Sequence, residues 1–166
     1  GDANRPFVVP AQPSFLRISY NAPAFDTQSQ GTVRDAFEAA LVDENGPDPS
    51  AAMRALGEQG VRGFRIRANA ETIGAWPKAE GLKQMWKTAA ETGQAICCLA
   101  TPDAFPAIRG MCEAFPKTPV VIDHLCRIGV SGTVEPKDVK ALCDMARHKN
   151  VTVKVSAFYA LGKKKS

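Results

Sequence analysis

The sequence predicts an α/β fold in which parallel strands follow one another as in a (β/α)8 TIM-type barrel, with the barrel incomplete in this chain. Three observations lead there. Runs of strand character begin at residues 37, 61, 95, 119 and 151 and alternate with amphipathic helical segments, which calls for crossovers and a parallel sheet. The mean step between strand starts is about 28 residues, close to the ~31 of an eight-unit barrel of ~250 residues. Two of the strands also have a polar face, with Gly63, Arg65 and Arg67 on one and Thr152, Lys154 and Ser156 on the other. A sheet covered by helices on both sides would bury those faces at a cost, whereas a barrel lumen accepts them. The alternative is a five-stranded doubly wound parallel sheet, which suits the length of 166 residues better.

Residues 1–35 read as an irregular segment or arm ahead of a partial barrel domain at 36–166. Pro6, Pro10, Pro13 and Pro23 punctuate the arm, Phe15 to Tyr20 alternates as a strand would, and Gln28 to Thr32 reads as a polar loop. The first regular strand is expected at 37–43, closing on Asp43. Asp48 and Pro49 then offer an N-cap and a first-turn proline, with Met53 and Leu56 on one helical face and Gly60 as the stop. A strand follows over 61–67. Leu82, Met85, Trp86, Ala89 and Ala90 fall at helical spacing and end at Gly93. The strand at 95–101 leads through Thr101 and Pro102 into a helix that turns Ile108, Met111, Cys112 and Phe115 inward. Pro119 to Ile122 is a short apolar run buried on both faces, breaking into Asp123, His124 and Arg127 before Gly129. Pro136 opens the next helix, with Val139, Leu142, Cys143 and Ala146 inward, and the last strand is expected at 151–157.

Composition narrows the function classes. Most of the net charge of +4 comes from Lys163, Lys164 and Lys165, and the signs are otherwise mixed, so no nucleic-acid footprint is expected. No stretch approaches a membrane span and no signal peptide is visible. The five cysteines (97, 98, 112, 126 and 143) are odd in number and lack zinc-type spacing, which reads as reduced thiols and a cytoplasmic setting. The first residue is Gly1, and processing or truncation of a longer chain is expected.

Polar residues gathered at the ends of buried strands are the place to look for chemistry in such folds. Here the stretches Gly60-Val-Arg-Gly-Phe-Arg-Ile-Arg67, Val121-Ile-Asp-His-Leu-Cys-Arg127 and Asn150-Val-Thr-Val-Lys-Val-Ser156 together resemble the amidohydrolase-related TIM-barrel family. The likeness is to the branch of 2-pyrone-4,6-dicarboxylate and sugar lactonases, and it runs over roughly residues 36 to 162. The resemblance implies a hydrolase of a small carboxylated lactone or similar acid. It makes His124 the catalytic histidine and Arg65 and Arg127 carboxylate-binding arginines, while Lys154 and Ser156, on the polar face of the last strand, read either as further substrate contacts or as lumen packing. Such chemistry fits the residue types. Ester hydrolysis passes through an oxyanion that a histidine donor stabilises, and guanidinium groups hold carboxylates bidentately.

The departures from the family pattern are specific. Its first-strand His-x-His pair is absent, and His124 and His148 are the only histidines. The chain stops before the late strand that would bring an aspartate, and Cys126 stands where glycine is usual. A divalent metal such as zinc belongs to the intact family member, but this sequence offers no complete metal site. The cofactor is therefore left unknown. Two other readings stand beside the lactonase-type hydrolase. One is metal-dependent decarboxylation within the same family, and the other is a non-catalytic barrel fragment that binds or supports. The expected partner is a small acidic molecule, with homo-oligomerisation as one way to cover the open barrel edges.

Overall fold

The computed structural model describes residues 14–16, 39–68 and 73–157. Strands β1 (Ser14–Leu16) and β2 (Ala39–Leu41) pair antiparallel with each other, Phe15 opposite Ala40. Helix α1 (Pro49–Glu58) follows, capped by Asp48, whose carboxylate accepts the backbone N–H of Ala51 at 2.9 Å. Strand β3 (Gly63–Arg67) leads through a 3-10 turn at Ile73–Lys78 to α2 (Glu80–Thr92), which ends on Gly93 in the left-handed region at φ 72. Then come β4 (Ala95–Leu99), a 3-10 turn at Pro102–Ala104, α3 (Phe105–Ala114) and β5 (Val120–Ile122). The remainder is a turn at Asp123–Arg127, α4 (Pro136–Asp144) with a 3-10 extension at Met145–Arg147, and β6 (Val151–Val153).

Strands β3 to β6 form one parallel sheet in chain order, with Phe64, Ile96, Val120 and Val151 in one register row and Ile66, Cys98, Ile122 and Val153 in the next. The order never reverses, so the doubly wound alternative is set aside in favour of an arc of barrel. Burial gives the same answer. The two rows just named join the core formed by Met53 and Leu56 of α1, Trp86 and Ala89 of α2, and Ile108 and Met111 of α3. The opposite row, Arg65, Cys97, Val121 and Thr152, stays half-buried or exposed. Helices therefore cover one face and leave the other open, as a barrel lumen requires. Each large apolar side chain fully removed from water in that core contributes roughly 1.5–3 kcal/mol.

Two expectations need correction. Five parallel strands were expected, and four are found among the described residues. The first, now β2, turns away from the sheet and takes β1 as its partner. The last helix was expected to bury Val139 and Cys143, yet α4 has no buried residue, Val139 is 40% exposed and Cys143 is exposed. The cause is position, because α4 precedes β6, the last strand of the arc, beyond which no further strand is found among the described residues. Most of residues 1–35 lies outside the described residues. Among the described residues no helix is long and apolar enough to cross a membrane.

Candidate active site

The site grows from the end of β5. After Ile122 the backbone enters a left-handed turn, with φ 54, 52, 53 and 55 at His124, Leu125, Cys126 and Arg127. Each non-glycine residue there costs roughly 1–2 kcal/mol relative to the right-handed form, so neighbours must hold the turn. The chain after β6 does so. Lys154 N–H donates to Ile122 O at 2.9 Å, and Leu125 N–H donates to Lys154 O at 3.2 Å. Cys126 is fully buried beneath the turn, and burial pushes its thiol up to about 12. Its positive φ is a physical reason for glycine to be usual at this position.

Two side-chain contacts converge on this turn from neighbouring strands. Arg65, on β3, reaches across β4, and its Nε donates to Asp123 Oδ2 at 2.8 Å. The carboxylate side chain is 2% exposed and that of the arginine 52%. Cys97 occupies the row between them, and burial raises its thiol, with the charge of Asp123 adding to the shift and those of Arg65 and Lys154 opposing it. Arg65, Cys97, Asp123 and Lys154 are thus near neighbours on the open face. On the other side of the turn, His124 Nδ1 lies 2.9 Å from Ser156 Oγ, just beyond β6.

The expected site residues are therefore placed as follows. His124 and Ser156 touch, Lys154 braces the turn through its backbone, and Arg65 is engaged by Asp123. Arg127 closes the same turn, half-exposed, and its guanidinium makes no hydrogen bond or ion pair among the described residues. The ion-pair partner of Arg65 among the described residues is Asp123. Asp123 was not singled out from the sequence, although its place beside His124 at a strand end was the available signal. His148 follows the 3-10 extension of α4, ahead of the start of β6, whereas His124 follows the end of β5.

Among the described residues no group of three or more His, Cys, Asp or Glu side chains comes together to hold a metal ion. At the strand ends the donors are His124, which contacts Ser156, and Asp123, which contacts Arg65. Those two do not make the three- or four-ligand set that a catalytic divalent ion requires.

A family model described as Amidohydrolase matches residues 28–165. A solved structure from Acinetobacter baumannii, of a probable 2-pyrone-4,6-dicarboxylic acid hydrolase with citric acid bound, superposes with a TM-score of 0.60 at 21% identity. That match covers 74% of this chain and 45% of the other. An amidohydrolase from Burkholderia multivorans with bound HEPES gives 0.57 at 18% identity, covering 69% and 42%. This chain therefore spans less than half the length of these structures. No curated protein matches it. The likeness agrees with the topology in placing the sheet as a partial (β/α)8 barrel.

Proposed function

This chain belongs to the amidohydrolase family, and on that premise we propose that it forms the carboxylate-binding side of a hydrolase acting on a small carboxylated lactone or a similar acid. The observation behind this reading is the gathering of cations on and beside the turn that holds one histidine. Arg127 lies in the turn that holds His124, Arg65 and Lys154 lie beside it, and Asp123 is the carboxylate paired with Arg65, while Asp103 and Asp138 act on the buried Cys126. Such a cluster suits a di- or tricarboxylate better than a neutral ester. The citric acid in the Acinetobacter structure, and the dicarboxylic substrate in its description, point to the same ligand chemistry.

In this reading a substrate carboxylate lies against Arg127 and the outer guanidinium edge of Arg65, whose Nε is already fixed by Asp123. The scissile carbonyl then meets His124, which donates a hydrogen bond to its oxygen as water adds and the tetrahedral oxyanion forms. Collapse breaks the ring C–O bond, one proton of the attacking water passing to the leaving ring oxygen to make a hydroxyl group and the other passing to solvent as the new acid ionises to a second carboxylate. The test is a hydrolysis screen of paired lactones, with and without a ring carboxylate, on the full chain. Arg127→Met should raise KM for the carboxylated member tenfold or more and leave the neutral one unchanged. His124→Asn should lower kcat instead. Equal handling of both lactones, or turnover indifferent to His124→Asn, would remove the reading.

One observation favours a second reading, an acid-binding module without turnover. Asp123, the carboxylate beside His124 in the chain, is committed to Arg65 and so is not free to activate water. Citrate binding with no hydrolysis of any lactone would select that alternative.

A further inference from the structure

We propose that Ser156 is a positioning residue that donates its hydroxyl proton to Nδ1 of His124 and so fixes the proton of the neutral imidazole on Nε2. The 2.9 Å contact allows either direction, because a hydroxyl can give or accept. The surroundings of Ser156 decide it. Its Oγ has no other hydrogen-bond partner among the described residues, and the residue is half-buried. If Nδ1 carried the proton, Ser156 would accept it and its own O–H would be left without an acceptor among the described residues. Within a protein an unmade donor costs more than an unfilled oxygen lone pair, which favours the arrangement in which Ser156 donates.

The backbone around the pair supports a positioning role. The strained turn of His124 to Arg127 and the segment Lys154 to Ser156 are joined by two main-chain hydrogen bonds, Lys154 N–H to Ile122 O and Leu125 N–H to Lys154 O. Ser156 follows two residues after that junction, so its hydroxyl is presented to the ring by the same segment that braces the turn. The outcome is an imidazole with Nδ1 occupied and Nε2–H available, suited to donate to an oxygen and unsuited to bind a cation through Nε2. The chemical consequence rests on His124 acting as that donor, but the proton assignment itself does not.

The chain has two histidines, so long-range 1H–15N spectra of the full 15N-labelled protein at alkaline pH contain two imidazole patterns, separated by a His148→Gln variant. For His124 the expected pattern is a protonated Nε2 and a lone-pair Nδ1 displaced by hydrogen bonding. Ser156→Ala should abolish that displacement, Ser156→Thr should restore it, and the His148 pattern should stay put in both as a control for folding. Should Ser156→Ala lose the folded His148 pattern, Ser156→Cys, close in size and a weak donor, serves for the comparison. A protonated Nδ1 in the wild type would overturn the proposal, as would an Nδ1 signal unmoved by loss of the hydroxyl. A confirmed Nε2–H form together with turnover indifferent to His124→Asn leaves this assignment standing and removes the catalytic reading alone.

Discussion

Asp123 and Arg65 are unequal partners. The carboxylate side chain is 2% exposed and the guanidinium 52%, so each loses something different when the other is removed. Replacing Arg65 by Met strands a charge that water can scarcely reach, whereas replacing Asp123 by Asn leaves an amide oxygen that still accepts from Nε and a guanidinium open to solvent. Arg65→Met should therefore destabilise the fold by about 1–3 kcal/mol, discounted for the exposed half of the pair, and Asp123→Asn by less than about 1 kcal/mol. Urea unfolding of the two variants checks the order, and a reversed order would mean that Asp123 is not held as described. The proposed binding role of Arg65 thus comes with a stability cost that the sequence did not announce. The Asp-His pair at a strand end was legible as a polar cluster. Which of its members pairs with Arg65 was not, because that depends on β4 lying between β3 and β5 and on the length of an arginine side chain.

At the scale of elements, the first turn of α2 is packed against the loop that joins β2 to α1. A Cβ added at Gly81 would collide with the backbone carbonyl oxygen of Glu44, whereas one added at Gly110 in α3 would meet nothing within 4 Å. The same substitution should act with opposite sign at the two sites. Gly81→Ala forces loop or helix to move and should destabilise by roughly 1–3 kcal/mol. Gly110→Ala gains helix propensity and should stabilise by up to about 1 kcal/mol. Matched urea curves decide, and equal shifts at both sites would show that the loop is free of α2. Neither site differs visibly from the other in the sequence, since each is one glycine in an amphipathic run. What the sequence did show was each helix start and stop with a local cause, as at Asp48, Pro49 and Gly93. It also showed the apolar rows of β3 to β5, whose period of two needs no tertiary knowledge. The pairing of β2 with β1 was not legible, because strand partners depend on long-range contacts and β1 lies in a proline-punctuated stretch. The left-handed turn was hidden for a similar reason. Leu125 and Cys126 have no local preference for positive φ, and the groups that hold them there belong to the segment after β6.

Across the whole molecule, support falls from the middle of the sheet towards β6. Strand β4 is paired on both sides, and Ile96 and Cys98 are fully buried between α-helices and neighbouring strands. Among the described residues strand β6 is paired with β5 alone, Thr152 is exposed, and α4 beside it has no buried residue. The exposed apolar side chains gather on the same side in sequence, with Val134 60% and Val155 63% exposed. Local opening free energy follows buried contacts and paired backbone, so the free energy of opening should be graded along the arc rather than uniform. Native-state hydrogen exchange should find the amide of Ile96, bonded to Pro119 O at 2.8 Å, among the slowest, and that of Lys154, bonded to Ile122 O at 2.9 Å, markedly faster. The difference bears on chemistry, because Lys154 and Ser156 hold the turn that presents His124. A ligand bridging Arg65 and Arg127 would tie the well-supported β3 to that turn and should slow exchange at Lys154 more than at Ile96. Citrate is the probe to add. Exchange at Lys154 as slow as at Ile96 in the free protein would show that the edge of the arc is already covered.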